Sequence, residues 1–369
     1  MTTFDKQFMS RALSLAKQGR FTTSPNPNVG CVIVRNGEVV GEGFHCKAGE
    51  AHAEIHALQM AGEKANGATA YVTLEPCSHY GKTPPCADAL IRAGIRRVVV
   101  AMQDPNPQVA GRGLLKLQQA GIEVLHGLLM DEAEQLNQGF LKRMRTGFPY
   151  VQLKLAASLD GRTALASGES KWITSPVARQ DVQSFRAQAS AILTTSATVL
   201  ADNPALNVRW TDFTPELQNI YPKECLRQPI RIVLDSENQV KPEHIITKSD
   251  GECWLIRPNP ISQNWCGDVE QIAIPTYKKG IDLVLLMMQL AKRNINSVWV
   301  ESGPTLAGAL LTLGLVDELI VYIAPKILGG TARGLINIPA LQKLKDAPAF
   351  EFINIELIGP DLRLTLRPL

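Results

Sequence analysis

The sequence predicts two consecutive α/β domains, each a layer of strands covered by helices. Three observations carry this reading. Strand-like and helix-like patterns alternate along the whole chain, which implies layered α/β architecture. The alternation is interrupted once, at Thr146-Gly147-Phe148-Pro149. The 369 residues also exceed the ~250–300 at which a single core stops growing. The expected domains are therefore 1–146 and 147–369.

In the first domain, Phe4, Phe8, Ala12, Leu15 and Ala16 recur at helical spacing and predict a helix over 5–18. Strands at 29–34 and 38–43 flank Asn36-Gly37, a dipeptide suited to the positive φ of a tight hairpin. A helix over 51–61 and a strand over 70–73 follow, the strand running into a loop at Leu74-Glu75-Pro76. Pro84-Pro85 opens another helix, because proline is tolerated where no backbone donor is needed. A strand at 97–101, a helix at 114–120, a strand at 123–125 and a helix at 130–146 complete the domain. The second domain is expected to hold strands at 151–157, 191–194, 230–235, 253–256 and 297–301. Its helices are expected at 176–188, 281–292 and 304–313. Strands at 318–323, 350–357 and 362–367, the last two around Gly359-Pro360-Asp361, close the chain. Residues 211–228 and 257–268 read as loops.

Composition narrows the function. Hydrophobic residues make up 45% and charged residues 20%, ordinary globular usage that does not suggest disorder. No apolar run reaches the ~18 residues of a membrane span, and Met1-Thr2-Thr3-Phe4-Asp5-Lys6 lacks the basic start and apolar core of a signal peptide. A soluble cytoplasmic protein without membrane partners is expected. Seven scattered cysteines suggest free, buried or metal-bound thiols, not a disulfide framework; Cys31, in an apolar strand, is most simply a small buried residue. The net charge is +3, a faint footprint for nucleic-acid binding, which draws its affinity largely from phosphate neutralisation.

One constellation carries chemistry. His52-Ala53-Glu54 stands at the start of a predicted helix, and Cys77 and Cys86 follow. Imidazole and thiolate are preferred zinc ligands, and three protein ligands leave the fourth tetrahedral position open, as catalysis requires. Two thiolates cancel the charge of Zn²⁺, so the metal acidifies water less than an all-histidine site would. A carboxylate must then carry the proton, and Glu54 is placed to do so. The pattern matches the zinc deaminase signature, His-x-Glu then Pro-Cys-x-x-Cys, except that eight residues separate the cysteines instead of two. Alternatives remain. A fourth ligand from His56, His79 or Cys46 would make the site structural, and a His52/His56 pair on one helix face would leave the cysteines unexplained. Cys225, Cys253 and Cys266 suggest no second metal.

The second domain lacks Gly-x-Gly-x-x-Gly after a strand. The run Glu301-Ser302-Gly303-Pro304-Thr305-Leu306-Ala307-Gly308-Ala309 does pass from a strand into a helix. Its small residues and free N–H groups suit a phosphate; by spacing alone, a plain strand-to-helix turn explains it equally.

Longer runs narrow these alternatives. Asn26-Pro27-Asn28-Val29-Gly30, Gly49-Glu50-Ala51-His52-Ala53-Glu54, the segment from Tyr71 to Cys86, Asp104-Pro105-Asn106-Pro107 and Val109-Ala110-Gly111-Arg112-Gly113 resemble the bifunctional deaminase/reductase of bacterial riboflavin biosynthesis. The likeness continues from Leu153 to Arg162 and at Ala324-Pro325-Lys326, covering almost the whole chain, and the eight-residue cysteine spacing is that family's own pattern. It implies a cytidine-deaminase-like three-layer α/β/α domain followed by a dihydrofolate-reductase-like α/β domain. It further implies one zinc per chain held by His52, Cys77 and Cys86, catalysis by Glu54, and NADPH as the second cofactor.

The implied substrate is a phosphorylated pyrimidine, deaminated on the ring and then reduced on its ribosyl side chain. Asn26, His45, His79, Lys82, Asp104 and Asn106 would contact it in the deaminase. Ala156, Trp172, Thr198, Asp202, Ser236 and the run Gly303 to Ala309 would bind NADPH. Ser170, Arg186, Leu206, Arg209 and Glu301 would hold the reductase substrate, with Lys154 placed to hydrogen-bond the developing sugar oxygen. A homo-oligomer without nucleic-acid partners is expected. The rival readings are a zinc deaminase acting on RNA bases with a non-catalytic C-terminal half, which should show a basic surface, and a zinc scaffold, which would have no use for Glu54.

Overall fold

The computed structural model describes residues 2–78, 84–106, 110–278 and 280–369. It divides into two compact units, Met1–Gly147 and Phe148–Leu369.

The first unit is a five-stranded sheet in the order Glu38–Phe44, Gly30–Arg35, Thr69–Leu74, Arg97–Met102, Glu123–His126. The first three strands pair antiparallel and the last three run parallel. Asn36 and Gly37 turn the hairpin with φ of 53° and 83°, as such a turn requires. Side chains alternate across the sheet. Cys31, Ile33, Val72, Val98 and Val100 pack on helices Ala53–Ala61, Cys86–Arg92 and Arg112–Gln119. Val32, Val34, Tyr71, Val99 and Ala101 face the opposite side, against Thr3–Ala16, Met130–Leu136 and Gln138–Thr146. The result is a three-layer α/β/α sandwich.

Small residues bring the helix that bears the site close to the sheet. Ala53, Ala57 and Ala61 are buried, and the hairpin opposite them carries Gly41 and Gly43. A Cβ on Gly41 would lie 2.1 Å from the Ala57 carbonyl oxygen, and one on Gly43 would lie 2.5 Å from His56 Cβ. No larger residue fits there without moving the helix.

The second unit is built on a nine-stranded sheet. Its order is Val269–Ala273, Cys253–Arg257, Ile230–Leu234, Ala191–Thr195, Ser297–Glu301, Tyr150–Ser158, Glu318–Ala324, Asp361–Pro368, Phe350–Ile358. The first seven strands run parallel and the last two antiparallel. Leu153, Leu193, Ile232 and Val300 pack under Leu283–Lys292 and Pro304–Thr312. Ile192, Val233, Leu255, Trp299 and Tyr322 pack with Ala178 and Val182 of Pro176–Gln188. Among the described residues no helix is long and apolar enough to cross a membrane.

Several boundaries differ from expectation, each for a local reason. The helix expected at 51–61 starts at Ala53, because His52 is extended (φ −77°, ψ 165°) and caps it. The helix expected at 130–146 is two, Met130–Leu136 and Gln138–Thr146, broken at Asn137. The Asn137 amide accepts from the Asn28 N–H and donates to the Asn28 carbonyl, at 2.7 and 3.0 Å, a tertiary pairing that outweighs one more helical turn. The helix expected from 281 begins at Leu283, where the Asp282 carboxylate accepts the Leu285 N–H. The loop expected at 211–228 contains a helix, Pro215–Ile220, with Thr214 as cap and proline at its start. The edge strand Val269–Ala273 and the helix Ser196–Asp202 were not anticipated.

Candidate active sites

Three elements of the first unit converge on one point. His52 caps the helix Ala53–Ala61, Cys77 lies just beyond the strand Thr69–Leu74, and Cys86 is the first residue of Cys86–Arg92. His52 Nδ1 is 3.2 Å from Cys86 Sγ and 3.6 Å from Cys77 Sγ. The three ligand atoms lie within 4.8 Å of one another, and among the described residues no fourth such side chain joins them. His56 and Cys46 therefore stand outside the group; His79 lies outside the described residues.

The donor set fits a cation. Hydrogen bonds from Cys86 and His52 hold the Cys77 thiol well below its ordinary range, against its burial. The bond to Cys77, burial and the Glu54 charge push Cys86 up. Two thiolates cannot share this space unaided, and a divalent ion between them removes the reason for Cys86 to keep its proton.

Glu54 occupies the first turn of the same helix, two residues from His52. It is 3% exposed, and among the described residues its Oε2 has no hydrogen-bond partner. Burial raises its pKa to about 7, against the pull of the His52 charge. A carboxyl group that titrates near neutrality with one bare oxygen is suited to accept and return a proton.

Other expected residues lie in the same unit. His45 is 2% exposed and meets His52 edge-on, with ring centroids 5.4 Å apart. Its Nδ1 is 3.0 Å from the Ala51 carbonyl, and its Nε2 is 3.0 Å from Asn26 Nδ2. A nitrogen facing a carbonyl must carry the proton, and burial lowers the pKa of the ring. His45 is therefore neutral and accepts from the Asn26 amide, which fixes how that amide is turned. Asp104 and Asn106 share a turn, with the Asn106 N–H donating to Asp104 Oδ1 at 2.8 Å. Lys82, like His79, lies outside the described residues.

The second unit holds a cleft of about 1880 Å³. It lies at the carboxyl ends of its parallel strands, where α/β sheets bind ligands. Lys154, Ala156, Ser170, Trp172, Arg186, Thr198, Asp202, Leu206, Arg209, Ser236 and Glu301 line it, with Gly303, Pro304, Thr305, Leu306, Gly308 and Ala309. Ala307 does not; its methyl group is fully buried in the core beside Leu310, on the sheet-facing side of the helix. Gly303 caps Pro304–Thr312 without a side-chain bond; Pro304 has no N–H and the Ala307 N–H meets the Gly303 carbonyl, which leaves the Thr305 and Leu306 N–H groups to face an anion.

Lys154 and Glu301 are direct neighbours in the sheet register. Arg186 donates from Nε and Nη2 to both oxygens of Glu301, at 2.6 and 2.9 Å, and from Nη1 to the Asn207 carbonyl at 3.0 Å. Trp299 Nε1 adds a third bond to Glu301. Burial opposes the charge on Glu301, but Arg186 and Lys154 outweigh it and hold the carboxyl at about 2. Arg186 therefore reaches the cleft already committed to Glu301, a pairing across 115 residues that sequence spacing does not reveal. The long-range partners of Glu75 are equally invisible in sequence spacing.

A His-Cys-Cys cluster beside a buried carboxylate in a three-layer sandwich, followed by a parallel-sheet domain with a nucleotide-sized cleft, defines a zinc deaminase fused to a reductase. Comparison with known proteins agrees for both parts. Residues 2–102 match the cytidine and deoxycytidylate deaminase zinc-binding region, and residues 149–364 match the RibD C-terminal domain. The chain is 68% identical to riboflavin biosynthesis protein RibD of Escherichia coli strain K12, over 98% of this chain and 99% of that one. It is 58% identical to RibD of Haemophilus influenzae, over 99% and 97%. Among solved structures, Acinetobacter baumannii RibD superposes with a TM-score of 0.91 at 46% identity, and a Thermotoga maritima deaminase/reductase with 0.86 at 33%, each covering 99% of both chains. The chain belongs to the RibD family. It is a bifunctional enzyme of riboflavin biosynthesis, a zinc-dependent deaminase joined to an NADPH-dependent reductase. The reading as an RNA-base deaminase with an idle second half is not favoured.

Proposed function

We propose that the unit Met1–Gly147 deaminates the pyrimidine ring of 2,5-diamino-6-ribosylamino-4(3H)-pyrimidinone 5′-phosphate. The unit Phe148–Leu369 then reduces the ribosyl side chain of 5-amino-6-(5-phosphoribosylamino)uracil to ribityl. The solved Thermotoga relative is described by these two activities. The observation that carries the reading is the bare, buried Oε2 of Glu54 beside three converging ligand atoms.

In the deaminase, His52, Cys77 and Cys86 hold the zinc. Zinc, when bound, supplies a Lewis acid that acidifies water at the site. Glu54 takes the proton from the attacking water, delivers it to the ring nitrogen, and carries the next to the departing amine, so ammonia leaves and oxygen replaces it. Asn26, held by His45, with Asp104, Asn106, His79 and Lys82, orients the pyrimidine and its ribose phosphate.

In the reductase, Ala156, Trp172, Thr198, Asp202, Ser236 and the helix start at Gly303 to Leu306, with Gly308 and Ala309, seat NADPH, while Ala307 packs behind them in the core. Ser170, Leu206, Arg209 and the Arg186–Glu301 pair hold the sugar phosphate. NADPH supplies the hydride that reaches C1 of the opened sugar. Burial lowers the pKa of Lys154, which favours giving up a proton, and Lys154 hydrogen-bonds the developing sugar oxygen. Lys154→Met is expected to cut reductase turnover at least about tenfold, with NADPH affinity unchanged by fluorescence titration. Unchanged turnover would remove Lys154 from the chemistry.

Supplying the diaminopyrimidine and following ammonia and NADPH in one tube tests the whole reading. Ammonia should appear first and NADPH consumption should follow; NADPH loss without ammonia release would contradict the order. We also propose a cytoplasmic homo-oligomer. The edge strand Phe350–Ile358 leaves Phe352, Ile355 and Leu357 exposed, and an apolar strand edge invites a second copy. Sedimentation should give a multiple of 40.3 kDa, and Leu357→Asp should reduce it to one chain; a monomeric wild type contradicts this.

A further inference from the structure

Glu75 stands two residues before the zinc ligand Cys77, is 4% exposed, and has no part in the mechanism above. Its carboxylate collects four backbone N–H groups from a distant stretch of chain. Oε2 accepts from Asp104 at 3.2 Å and Gly111 at 2.9 Å. Oε1 accepts from Gly113 at 2.8 Å and Leu114 at 3.4 Å. Gly111 caps the helix Arg112–Gln119 in the left-handed region (φ 80°) and offers no side-chain cap of its own. The first N–H groups of a helix need an acceptor, and an anion there is favoured. Glu75 supplies both from another element.

The fit is close. A Cβ on Gly113 would lie 2.0 Å from the Pro76 carbonyl oxygen, so the start of this helix presses directly on the residue between Glu75 and Cys77. The Glu75 N–H in turn donates to the Met102 carbonyl at 3.0 Å. One side chain thus ties the segment carrying Cys77 to both flanks of the stretch that begins with Asp104 and Asn106.

We infer that Glu75 is a positioning residue, fixing Asp104 and Asn106 at a set distance from the zinc ligands so that the pyrimidine phosphate is held in register with Glu54. This rests on the proposal that Asp104 and Asn106 contact substrate. The carboxylate suits the task because all four donors are N–H groups. A glutamine would turn an amide donor toward two of them and leave them unpaired.

The test is a kinetic comparison of Glu75→Gln, Asn106→Ala and the double variant, each with its zinc content measured. Glu75→Gln is expected to raise the deaminase KM about tenfold or more, with a smaller change in kcat, full zinc occupancy and normal NADPH-dependent reduction of the deaminated intermediate. The double variant should be no worse than the poorer single one, because both changes remove the same contact. If Asn106→Ala raises KM but Glu75→Gln does not, or if their effects multiply, the inference is overturned. If Asn106→Ala leaves KM unchanged, the substrate-contact reading fails, and the inference with it. A Glu75→Gln protein that loses zinc and kcat together with KM would show a structural role only, and would also overturn the inference. Should Glu75→Gln not fold, Glu75→Asp, which keeps the charge but withdraws it by one methylene, takes its place in the same comparison.

Discussion

Replacing Glu54 with glutamine lowers ammonia release by about 10²–10⁴-fold, while zinc stays bound and NADPH consumption on the deaminated intermediate continues. The size of the effect follows from the position of Glu54. It is the carboxylate in the first turn of the helix that His52 caps, it is buried, and one of its oxygens is bare. Glutamine has nearly the same shape, so the helix and the ligands need not move. It cannot accept a proton at neutral pH, so the transfer from water to the ring nitrogen and the amine loses its carrier. Metal analysis, ammonia release and NADPH absorbance on one preparation check all three parts. Undiminished ammonia release would reject Glu54 as the proton carrier.

The second large effect concerns stability. Asp235 and Arg257 form an ion pair 2.7 Å long in which both side chains are fully buried. Asp235 also accepts the N–H groups of Gln239 and Val240, and Arg257 donates to the Val240 carbonyl and to Gln271. Every charge is matched, and removing one leaves the other stranded. Arg257→Met is expected to cost about 3–5 kcal/mol and to lower the melting temperature of the reductase unit by roughly 10 °C or more. Removing both charges together, as Asp235→Leu with Arg257→Met, should recover much of that loss, because a buried pair contributes less than its broken half costs. Calorimetry of the two variants checks this. A wild-type melting profile for Arg257→Met would contradict it. Ser236, expected at the cofactor, follows Asp235 directly, so the same pair also steadies one wall of the cleft.

The parts of this protein that were legible in the sequence are those in which residue type alone carries the chemistry. His52, Cys77 and Cys86 are zinc ligands wherever they lie, and Glu54 needs only to follow His52 on one helix. The alternation of patterns gave the layered architecture, since each strand and helix is fixed by its own period. What was hidden depends on partners remote in sequence. Asn137 breaks a helix that local propensity would continue, because Asn28, 109 positions earlier, offers its backbone. Glu75 reads as an ordinary loop residue until Asp104, Gly111 and Gly113 fold onto it. Ala307 belongs to a run that resembles a cofactor loop, yet the helix turns it into the core. The helix at Pro215–Ile220 is a different case: Thr214 and Pro215 are start signals, but so short a helix in a polar stretch carries too little periodicity to stand out.

Deamination depends, as proposed, on a zinc ion held by His52, Cys77 and Cys86 beside Glu54. The most direct test is removal and return of the metal. Enzyme dialysed against a chelator should release no ammonia from the diaminopyrimidine, should still oxidise NADPH when given the deaminated intermediate, and should regain ammonia release with one equivalent of zinc per chain. Full deaminase activity in protein shown to be metal-free would contradict the account.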